Sequence, residues 1–352
     1  MKRFLVACLM AGAFAMGSGI AFADDREDGD VQDFATLPAG VRYPEGITAN
    51  PATGDIFVAT FDFGPNANKL MRFDRRGNLT AMRDFGGTPM LGLGFAGGKV
   101  YILNVGLSKL QRIVANFGST TAVEDVATFP AIGAPGPRTT GNPDGSTDLI
   151  TFGSSKFPGP NAMVFDRAGN LYVSDSFQGA IYRIAAAASC ATPCEVKVVK
   201  QDPLLATAGF PPFGANGLAL NGDETALFIA NTGDNRVLKH TFAGDVLSVL
   251  AESVHGADGL LFENGRLWVA ANQGDELVAL NSLGRPIIRM GGFEGIRRDG
   301  TPRGLLFPAS MVIVGDWMYV TNLALPLTAA VGDEPEEDVT RWNVVRLRVP
   351  RR

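Results

Sequence analysis

The sequence contains very few residues that bind soft metals or serve as thiol nucleophiles. Only three cysteines and two histidines, His240 and His255, occur among its 352 residues. Zinc sites are built mainly from cysteine and histidine, and these histidines show no ligand spacing with the cysteines. A Gly-x-Ser-x-Gly nucleophile elbow is absent as well. The composition therefore speaks against a zinc enzyme and against the common serine and cysteine hydrolases.

Long apolar runs are also missing, except at the N-terminus. Residues 1–23 carry two early basic residues, an apolar stretch and a final Ala-Phe-Ala, a pattern that predicts a cleaved signal peptide. We therefore expect an exported protein, periplasmic or secreted, without a membrane span. Cys190 and Cys194 remain after cleavage, and in an oxidising compartment they are expected to form a disulfide rather than half of a zinc site.

Positive charge is in short supply. Cleavage removes two of the 31 lysines and arginines, so 29 face 36 aspartates and glutamates in the mature chain. An acidic surface argues against nucleic acid or an anionic membrane as a partner. Residues 24–30 are charged and lack apolar residues to bury, which predicts a flexible leader before a single domain at 31–352.

Glycine, phenylalanine and proline are abundant, with 43, 23 and 21 residues. This favours many short strands joined by turns. One template occurs six times: a leading residue, commonly followed by glycine, then an apolar run, a tight turn and a second apolar run with an aromatic residue. Residues 256–273 hold its clearest copy. The leading residues are Glu45, Leu91, Asn161, Asn216, Asp258 and Ser310.

The spacing of these copies predicts the fold. The 265 residues from Glu45 to Ser310 hold five intervals that average 53 residues, whereas the leading residue and its aromatic are always 9 to 12 residues apart. Further strand-like runs follow, giving four strands per repeat. We therefore predict an all-β, six-bladed β-propeller with four-stranded antiparallel blades. The last copy supplies three strands, so residues 31–37 are expected to provide the fourth and close the ring.

The long loops that lead into the blades are predicted to share one face of the propeller. They comprise residues 131–160, 202–215 and 294–308, and residues 324–341 are expected to reach the same face. Such loops could form a rim or lid over a central pocket. Several apolar residues in these loops would suit a hydrophobic ligand: Leu204, Leu205, Phe210, Phe213, Leu305, Leu306 and Phe307.

The leading residues begin the innermost strands and should point towards the axis. Glu45, Asn161, Asn216 and Asp258 carry side-chain oxygens that suit a hard cation, and the two carboxylates would balance a divalent charge. Asn-Gly and Asp-Gly are also ordinary turn formers, so each could simply end a turn. A second row, near the ends of the second strands, is expected to hold mostly turn residues with one or two outer partners of the site: Asn104, Asp175, Asn231, Asn272 and Asn322.

These motifs resemble the senescence-marker-protein, gluconolactonase and luciferin-regenerating-enzyme family of six-bladed propellers. The resemblance covers residues 31–349 and is most specific in Asn216-Gly-Leu-Ala-Leu and Asp258-Gly-Leu. It implies one divalent ion, Ca²⁺ or a related cation, held by Glu45, Asn216 and Asp258, with Asn161 nearby. Sugar-lactonase members often carry arginine where this chain has Gly159, which favours a more hydrophobic substrate here.

The resemblance also implies an activity, the hydrolysis of a small-molecule lactone or ester, with Asp258 as ligand and general base. The alternative is a non-catalytic propeller of the NHL type that binds a ligand or protein around a structural calcium ion. A lyase activity on the same scaffold is a third hypothesis. His255 could assist proton transfer, although a plain loop residue is the simpler interpretation.

Overall fold

The computed structural model describes residues 31–65, 68–153, 157–328 and 330–350. The predicted signal peptide (1–23) and leader (24–30) lie outside these ranges. Within them, the chain forms six four-stranded antiparallel sheets and two small hairpins. The prediction of a six-bladed β-propeller is therefore confirmed.

The first half of the chain begins with strand β1 (Gln32–Thr36) and builds blades 1 to 3. Blade 1 consists of β2 (Pro44–Ala49), β3 (Ile56–Thr60), β4 (Asn68–Phe73) and β5 (Leu79–Gly86). Blade 2 consists of β6 (Met90–Ala96), β7 (Lys99–Asn104), β8 (Lys109–Val114) and β9 (Glu124–Thr128). A hairpin of β10 (Arg138–Gly141) and β11 (Thr147–Ile150) precedes blade 3, which consists of β12 (Pro160–Phe165), β13 (Leu171–Asp175), β14 (Ala180–Ile184) and β15 (Lys197–Gln201).

The second half builds blades 4 to 6. Blade 4 consists of β16 (Ala215–Leu220), β17 (Ala226–Asn231), β18 (Arg236–Thr241) and β19 (Val246–Glu252). Blade 5 consists of β20 (Ala257–Glu263), β21 (Arg266–Ala271), β22 (Glu276–Leu280) and β23 (Pro286–Met290). After a hairpin of β24 (Phe293–Ile296) and β25 (Pro302–Gly304), blade 6 contains β26 (Pro308–Val314), β27 (Trp317–Asn322) and β28 (Asn343–Arg348). Short 3₁₀ turns occupy Val105–Leu107, Ala243–Asp245, Asn272–Gly274 and Pro335–Asp338.

Blade 6 combines strands from both ends of the described chain. Its order is β1-β28-β27-β26, and Gln32 of β1 lies opposite Arg346 of β28. The core follows the same ring, because six hydrophobic clusters each join two adjacent blades. Phe57 of blade 1, for example, is fully buried in one cluster with Ile102 of blade 2. Each blade therefore buries its faces against its neighbours rather than within itself.

Every innermost strand carries a β-bulge at the same place. In blade 4, Ala215 pairs with Asn231 and Leu218 pairs with Ile229, so two residues face one residue of the partner strand. The corresponding register shift occurs in the other five blades. In blades 1 to 5 the leading residue is the first residue of this bulge. A shared local kink therefore sets the direction of these five leading side chains.

Glycine follows the leading residue because the next blade comes too close for a side chain. A Cβ on Gly217 would lie 2.1 Å from the backbone oxygen of Asp258, and one on Gly46 would lie 2.1 Å from that of Leu91. In the same way, a Cβ on Gly92 would lie 2.6 Å from the backbone oxygen of Asn161, and one on Gly259 would lie 2.5 Å from that of Ala309. The repeated glycine is thus required for close approach of neighbouring inner strands rather than for a turn.

Cys190 and Cys194 form the expected disulfide in the segment between β14 and β15. Among the described residues, no helical segment combines the length and the apolar character needed to cross a bilayer.

Candidate axial metal site

The four predicted ligands meet at the propeller axis. Glu45, Asn161, Asn216 and Asp258 are the second residues of β2, β12, β16 and β20, and each is at least 95% buried. Together they line one cavity of about 40 Å³. The bulged inner strands therefore bring residues that are far apart in sequence to one small volume.

The register of blade 6 corrects one leading residue. Pro308 pairs with Asn322, just as Ala215 pairs with Asn231 in blade 4, so Ala309 takes the place of Asn216. Ala309 is fully buried, whereas Ser310 is the second residue of the bulge and does not line the cavity. The expectation for Ser310 was wrong by one residue, because the leading position of blade 6 has neither an oxygen-bearing side chain nor a following glycine to mark it. Blade 6 therefore contributes no leading oxygen.

Two hydroxyl groups orient the asparagine amides. Ser176 Oγ donates to the carbonyl of Ala215 at 2.8 Å, so its oxygen is left to accept from Asn161 Nδ2 at 2.9 Å. Because the hydroxyl proton of Ser176 is used by the carbonyl of Ala215, Ser176 can only accept from Asn161. The amide nitrogen of Asn161 therefore faces Ser176, and its amide oxygen turns towards the cavity. Asn161 Oδ1 is buried there without a hydrogen-bond partner.

Blade 4 repeats this arrangement. Thr232 Oγ1 donates to the carbonyl of Ala257 at 2.7 Å and accepts from Asn216 Nδ2 at 2.9 Å. Ser176 and Thr232 occupy the same position, one residue after the second strand of their blades. Both bridge a site amide to the carbonyl of the next blade. Contacts between neighbouring blades thus set the orientation of the two asparagine amides.

Asn272 occupies the equivalent position in blade 5 and belongs to the site. Its Nδ2 donates to Asp258 Oδ2 at 3.0 Å, and its Oδ1 is buried without a partner. The sequence predicted only that one or two residues of its row would be outer partners of the site. Because β21 ends at Ala271, Asn272 lies one residue beyond the other members of that row. The sequence carries this signal, since Asn272 follows the aromatic Trp268 by four residues and the other members follow their aromatics by three.

The other members of that row have structural roles. The Asn104 side chain caps the turn after β7, and that of Asn231 donates to the carbonyls of Leu204 and Ala206. Asp175 accepts from three backbone amides, and Asn322 donates to the carbonyl of Gly304 and to Asn343. These four are turn and loop anchors, as most of the row was expected to be.

Among the residues that the structure describes, no positive charge compensates the two carboxylates. Burial raises the pKa of Asp258 to about 7, although hydrogen bonds with Asn272 and Asn216 oppose the shift. Burial, and then the negative charge of Asp258, hold the pKa of Glu45 well above its usual value. Two buried carboxylates without a cation are costly to ionise.

The residues fit a hard divalent cation. Four buried oxygens have no hydrogen-bond partner within the described part of the chain: Glu45 Oε2, Asn161 Oδ1, Asp258 Oδ1 and Asn272 Oδ1. All four residues line the same cavity. Ca²⁺ takes six to eight oxygen ligands, including carboxylates, amide carbonyls and water. No group of three or more His, Cys, Asp or Glu side chains within the described ranges could hold a metal, so the amides are essential to this set.

The rest of the cavity wall is apolar. Phe61 and Leu91 line it from blades 1 and 2, Phe213 from the loop before blade 4, and Phe307 from the loop before blade 6. Leu325 and Leu327 of the 324–341 segment complete the cover, as predicted for a segment reaching this face. Of the other apolar loop residues, Leu205, Leu305 and Leu306 are fully buried in the core and Phe210 is exposed.

His255 lies away from this site. It is exposed and lines a different cavity, beside Arg289 and Glu276 of blade 5. His240 is buried in β18, where its Nε2 contacts Asp245 Oδ1 at 2.7 Å. The interpretation of His255 as a loop residue is the one that the structure favours.

The fold and this arrangement define a six-bladed propeller with oxygen donors converging on its axis. No family model matches the sequence, and no curated protein sequence matches it. The structure is similar to that of luciferin-regenerating enzyme, with a TM-score of 0.62 and 16% identity over 91% of this chain and 95% of that one. It is also similar to the calcium-binding protein regucalcin of Agrobacterium tumefaciens (TM-score 0.58, 15% identity, 90% and 92% covered). Virginiamycin B lyase of Staphylococcus aureus has a TM-score of 0.54 at 13% identity, with 91% and 99% covered.

These similarities agree with the predicted family resemblance at the level of the fold. At such low identity a shared fold does not define a shared reaction, and the three neighbours differ in their names and activities. The chemistry of this chain therefore depends on its own axial residues.

Proposed function

We propose that the chain is an exported, divalent-cation-dependent hydrolase of a lactone or ester, with calcium as the first candidate cation. The observation that carries this proposal is the set of four buried, unpartnered oxygens around one axial cavity. Three of these oxygens belong to Glu45, Asn161 and Asp258, which would hold the cation together with Asn216, and the fourth belongs to Asn272 beside them. Export is supported by the Cys190–Cys194 disulfide, which suits an oxidising compartment.

The bound cation would polarise the substrate carbonyl and stabilise the negative charge that develops on its oxygen. Asp258 would take a proton from the attacking water as the new carbon–oxygen bond forms. When the bond to the leaving oxygen breaks, the same proton passes from Asp258 to that oxygen, so the residue returns to its initial state. Asn272 holds one oxygen of the carboxylate, which leaves Oδ1 facing the cavity.

A second function is favoured by one observation, the small size and apolar cover of the cavity. A volume of about 40 Å³ accommodates an ion with few waters, and Phe307, Leu325 and Leu327 lie over it. Such a covered ion could be structural in a non-catalytic propeller of the NHL type that binds a ligand or protein elsewhere.

Calcium titration combined with a panel of lactones and esters tests the proposal. We expect saturable calcium binding by calorimetry and calcium-dependent turnover of at least one compound, both lost in Asp258→Asn. Calcium binding without turnover across the panel would instead support the non-catalytic propeller. A protein that binds neither calcium nor another divalent cation would refute the site itself.

The hydroxyl bridges give a more local prediction. Ser176→Ala and Thr232→Val each release an asparagine amide, and we expect calcium affinity to fall about tenfold, as for other groups that orient metal ligands. Calorimetry measures this directly. Thr60→Val is the matched control, because Thr60 is a buried hydroxyl that bonds Asn68 and Lys69 in blade 1 but no site residue. Equal affinities for all variants would show that the bridges do not position the ligands.

A further inference from the structure

The axial cavity is too small for a whole substrate. Its volume of about 40 Å³ is a few times the space occupied by one water-sized probe, whereas ligand pockets are usually several hundred cubic ångströms. Only the reacting carbonyl group could enter it. The remainder of any substrate must therefore lie against a neighbouring surface on the same face of the propeller.

A second cavity, of about 300 Å³, lies directly beside the axial one. The two share a wall. Ser176 lines the second cavity and accepts from Asn161, which lines the first. The ring of Phe177 in the second cavity packs against that of Phe213 in the first, with centroids 5.7 Å apart. The rings of Phe177 and Phe213 thus lie where the two spaces adjoin.

The second cavity has an aromatic lining, and we call it the aromatic side pocket. It is lined by Phe152, Gly153, Phe157, Ser176, Phe177, Ala206, Thr207 and Pro212. Phe177 also fills the space in front of Gly159, since a Cβ at that position would lie 2.4 Å from its ring. A polar side chain cannot enter the pocket from position 159 unless Phe177 moves.

The two hydroxyl groups of the pocket are already engaged. Ser176 Oγ bonds the carbonyl of Ala215 and the amide of Asn161. Thr207 Oγ1 donates to Asp234 Oδ1 at 2.6 Å and accepts from the backbone N–H of Gly209 at 2.9 Å. No charged side chain is among the described lining residues. The lining side chains therefore offer little to the hydroxyls of a sugar or to an ionic group, and much to an apolar one.

We propose that the aromatic side pocket is the specificity site, and that it takes an aryl or alkyl substituent of a lactone or ester whose carbonyl lies at the axis. This inference rests on the proposed hydrolase function for the reaction, while the apolar preference rests on the pocket itself. It identifies the substrate class as hydrophobic lactones or esters rather than sugar lactones.

Three lactones of one ring size, bearing hydrogen, hydroxymethyl or phenyl, test the proposal. We expect kcat/KM for the phenyl compound to exceed the other two by at least about tenfold, because burial of an apolar group discriminates by this order. Phe152→Ser and Phe157→Ser should reduce that ratio severalfold. Phe157 is 55% exposed, so its loss should leave the fold intact. Leu283→Ser is the matched control, because Leu283 is 70% exposed in a turn of blade 5 and lines neither cavity.

A binding experiment separates this proposal from the hydrolase function. The phenyl-substituted lactam, with N–H in place of the ring oxygen, should bind at least about tenfold more tightly than the unsubstituted lactam by calorimetry, and Phe157→Ser should remove the difference. Equal binding of the two lactams, or an unchanged preference in both phenylalanine variants, would overturn the side-pocket assignment. If no lactone or ester is hydrolysed but the lactam preference holds, the hydrolase function fails and the pocket stands.

Discussion

The Asp258→Asn protein is expected to melt at a higher temperature than the wild-type protein when both are metal-free at about pH 8, and to gain nothing from calcium. Wild-type Asp258 is a buried carboxylate whose pKa is raised from 3.8 to about 7, so ionising it in the folded state costs up to about 4 kcal/mol. Asparagine removes this charge and keeps the shape of the side chain. Differential scanning calorimetry with and without calcium measures both effects.

The pH dependence of the metal-free protein follows from the same shift. A raised pKa means that the folded protein binds more protons than the unfolded chain between about pH 4 and about pH 7, so stability is lost as pH rises through this range. We expect the melting temperature of the metal-free wild-type protein to fall between about pH 5 and about pH 8, and the fall to be much smaller in Asp258→Asn. In the variant, Glu45 also loses the repulsion that helps to raise its pKa.

With calcium, the wild-type protein should melt at a higher temperature than Asp258→Asn, the reverse of the order expected without metal. A ligand that binds only the folded state stabilises it by about 4 kcal/mol at a thousand times its dissociation constant. Asp275→Asn is the matched control, because burial also raises the pKa of Asp275, which lies outside the axial cavity and accepts from the backbone N–H of Phe307. Its calcium response should equal that of the wild-type protein. A normal calcium response in Asp258→Asn would contradict the assignment of this residue as a ligand.

The fold was predictable because its signal is repeated. Each copy of the template alone is a weak indication of a strand pair. The nearly constant distance from the leading residue to the aromatic, however, indicates the same hairpin in every copy, as in a ring of equivalent blades. Four of the leading residues, Glu45, Asn161, Asn216 and Asp258, therefore reached one cavity as expected. Their positions depend on the backbone of the innermost strands, which the repeated pattern describes well.

The details that escaped prediction are those that depend on a single residue of register. The bulge adds one residue to each inner strand, and blade 6 has neither a leading oxygen nor a following glycine to mark it, so the pattern indicates Ser310 where the structure has Ala309. Asn272 lies one residue past the end of its strand, four residues after Trp268, whereas the other members of its row lie three residues after their aromatics. The roles of Ser176 and Thr232 depend on contacts with the next blade. Long-range contacts of this kind leave no local pattern in the sequence.

The acidic segment at 333–338 is more than a solvated loop, because Glu334 accepts from the backbone N–H of Leu327, a residue that lines the axial cavity. Burial raises the pKa of the half-buried Glu336 to about 7, and the negative charge of Asp275 adds to the shift. Part of this segment is therefore folded back over the face that carries the site.

Gly217→Ala is expected to destabilise the protein by about 3 kcal/mol, the upper range for overpacking, because the clash involves backbone on both sides. The added Cβ would lie 2.1 Å from the carbonyl oxygen of Asp258 and 2.7 Å from the backbone nitrogen of Leu260. To accept it, blades 4 and 5 must separate at the bulges that carry Asn216 and Asp258. Calcium affinity should therefore fall together with stability, and urea denaturation with calorimetric titration measures both.

Gly222→Ala is the matched control in the same blade. A Cβ on Gly222 would meet its nearest neighbour, the ring of Phe262, at 3.5 Å, an ordinary van der Waals contact. The change in stability should therefore stay within about 0.5 kcal/mol, as for most substitutions without a buried clash. If Gly217→Ala unfolds at the same urea concentration as Gly222→Ala, the inner strands can move apart at little cost. In that case the glycine would not be what fixes the spacing of the axial ligands, and the repeated template would have to be explained by turn formation after all.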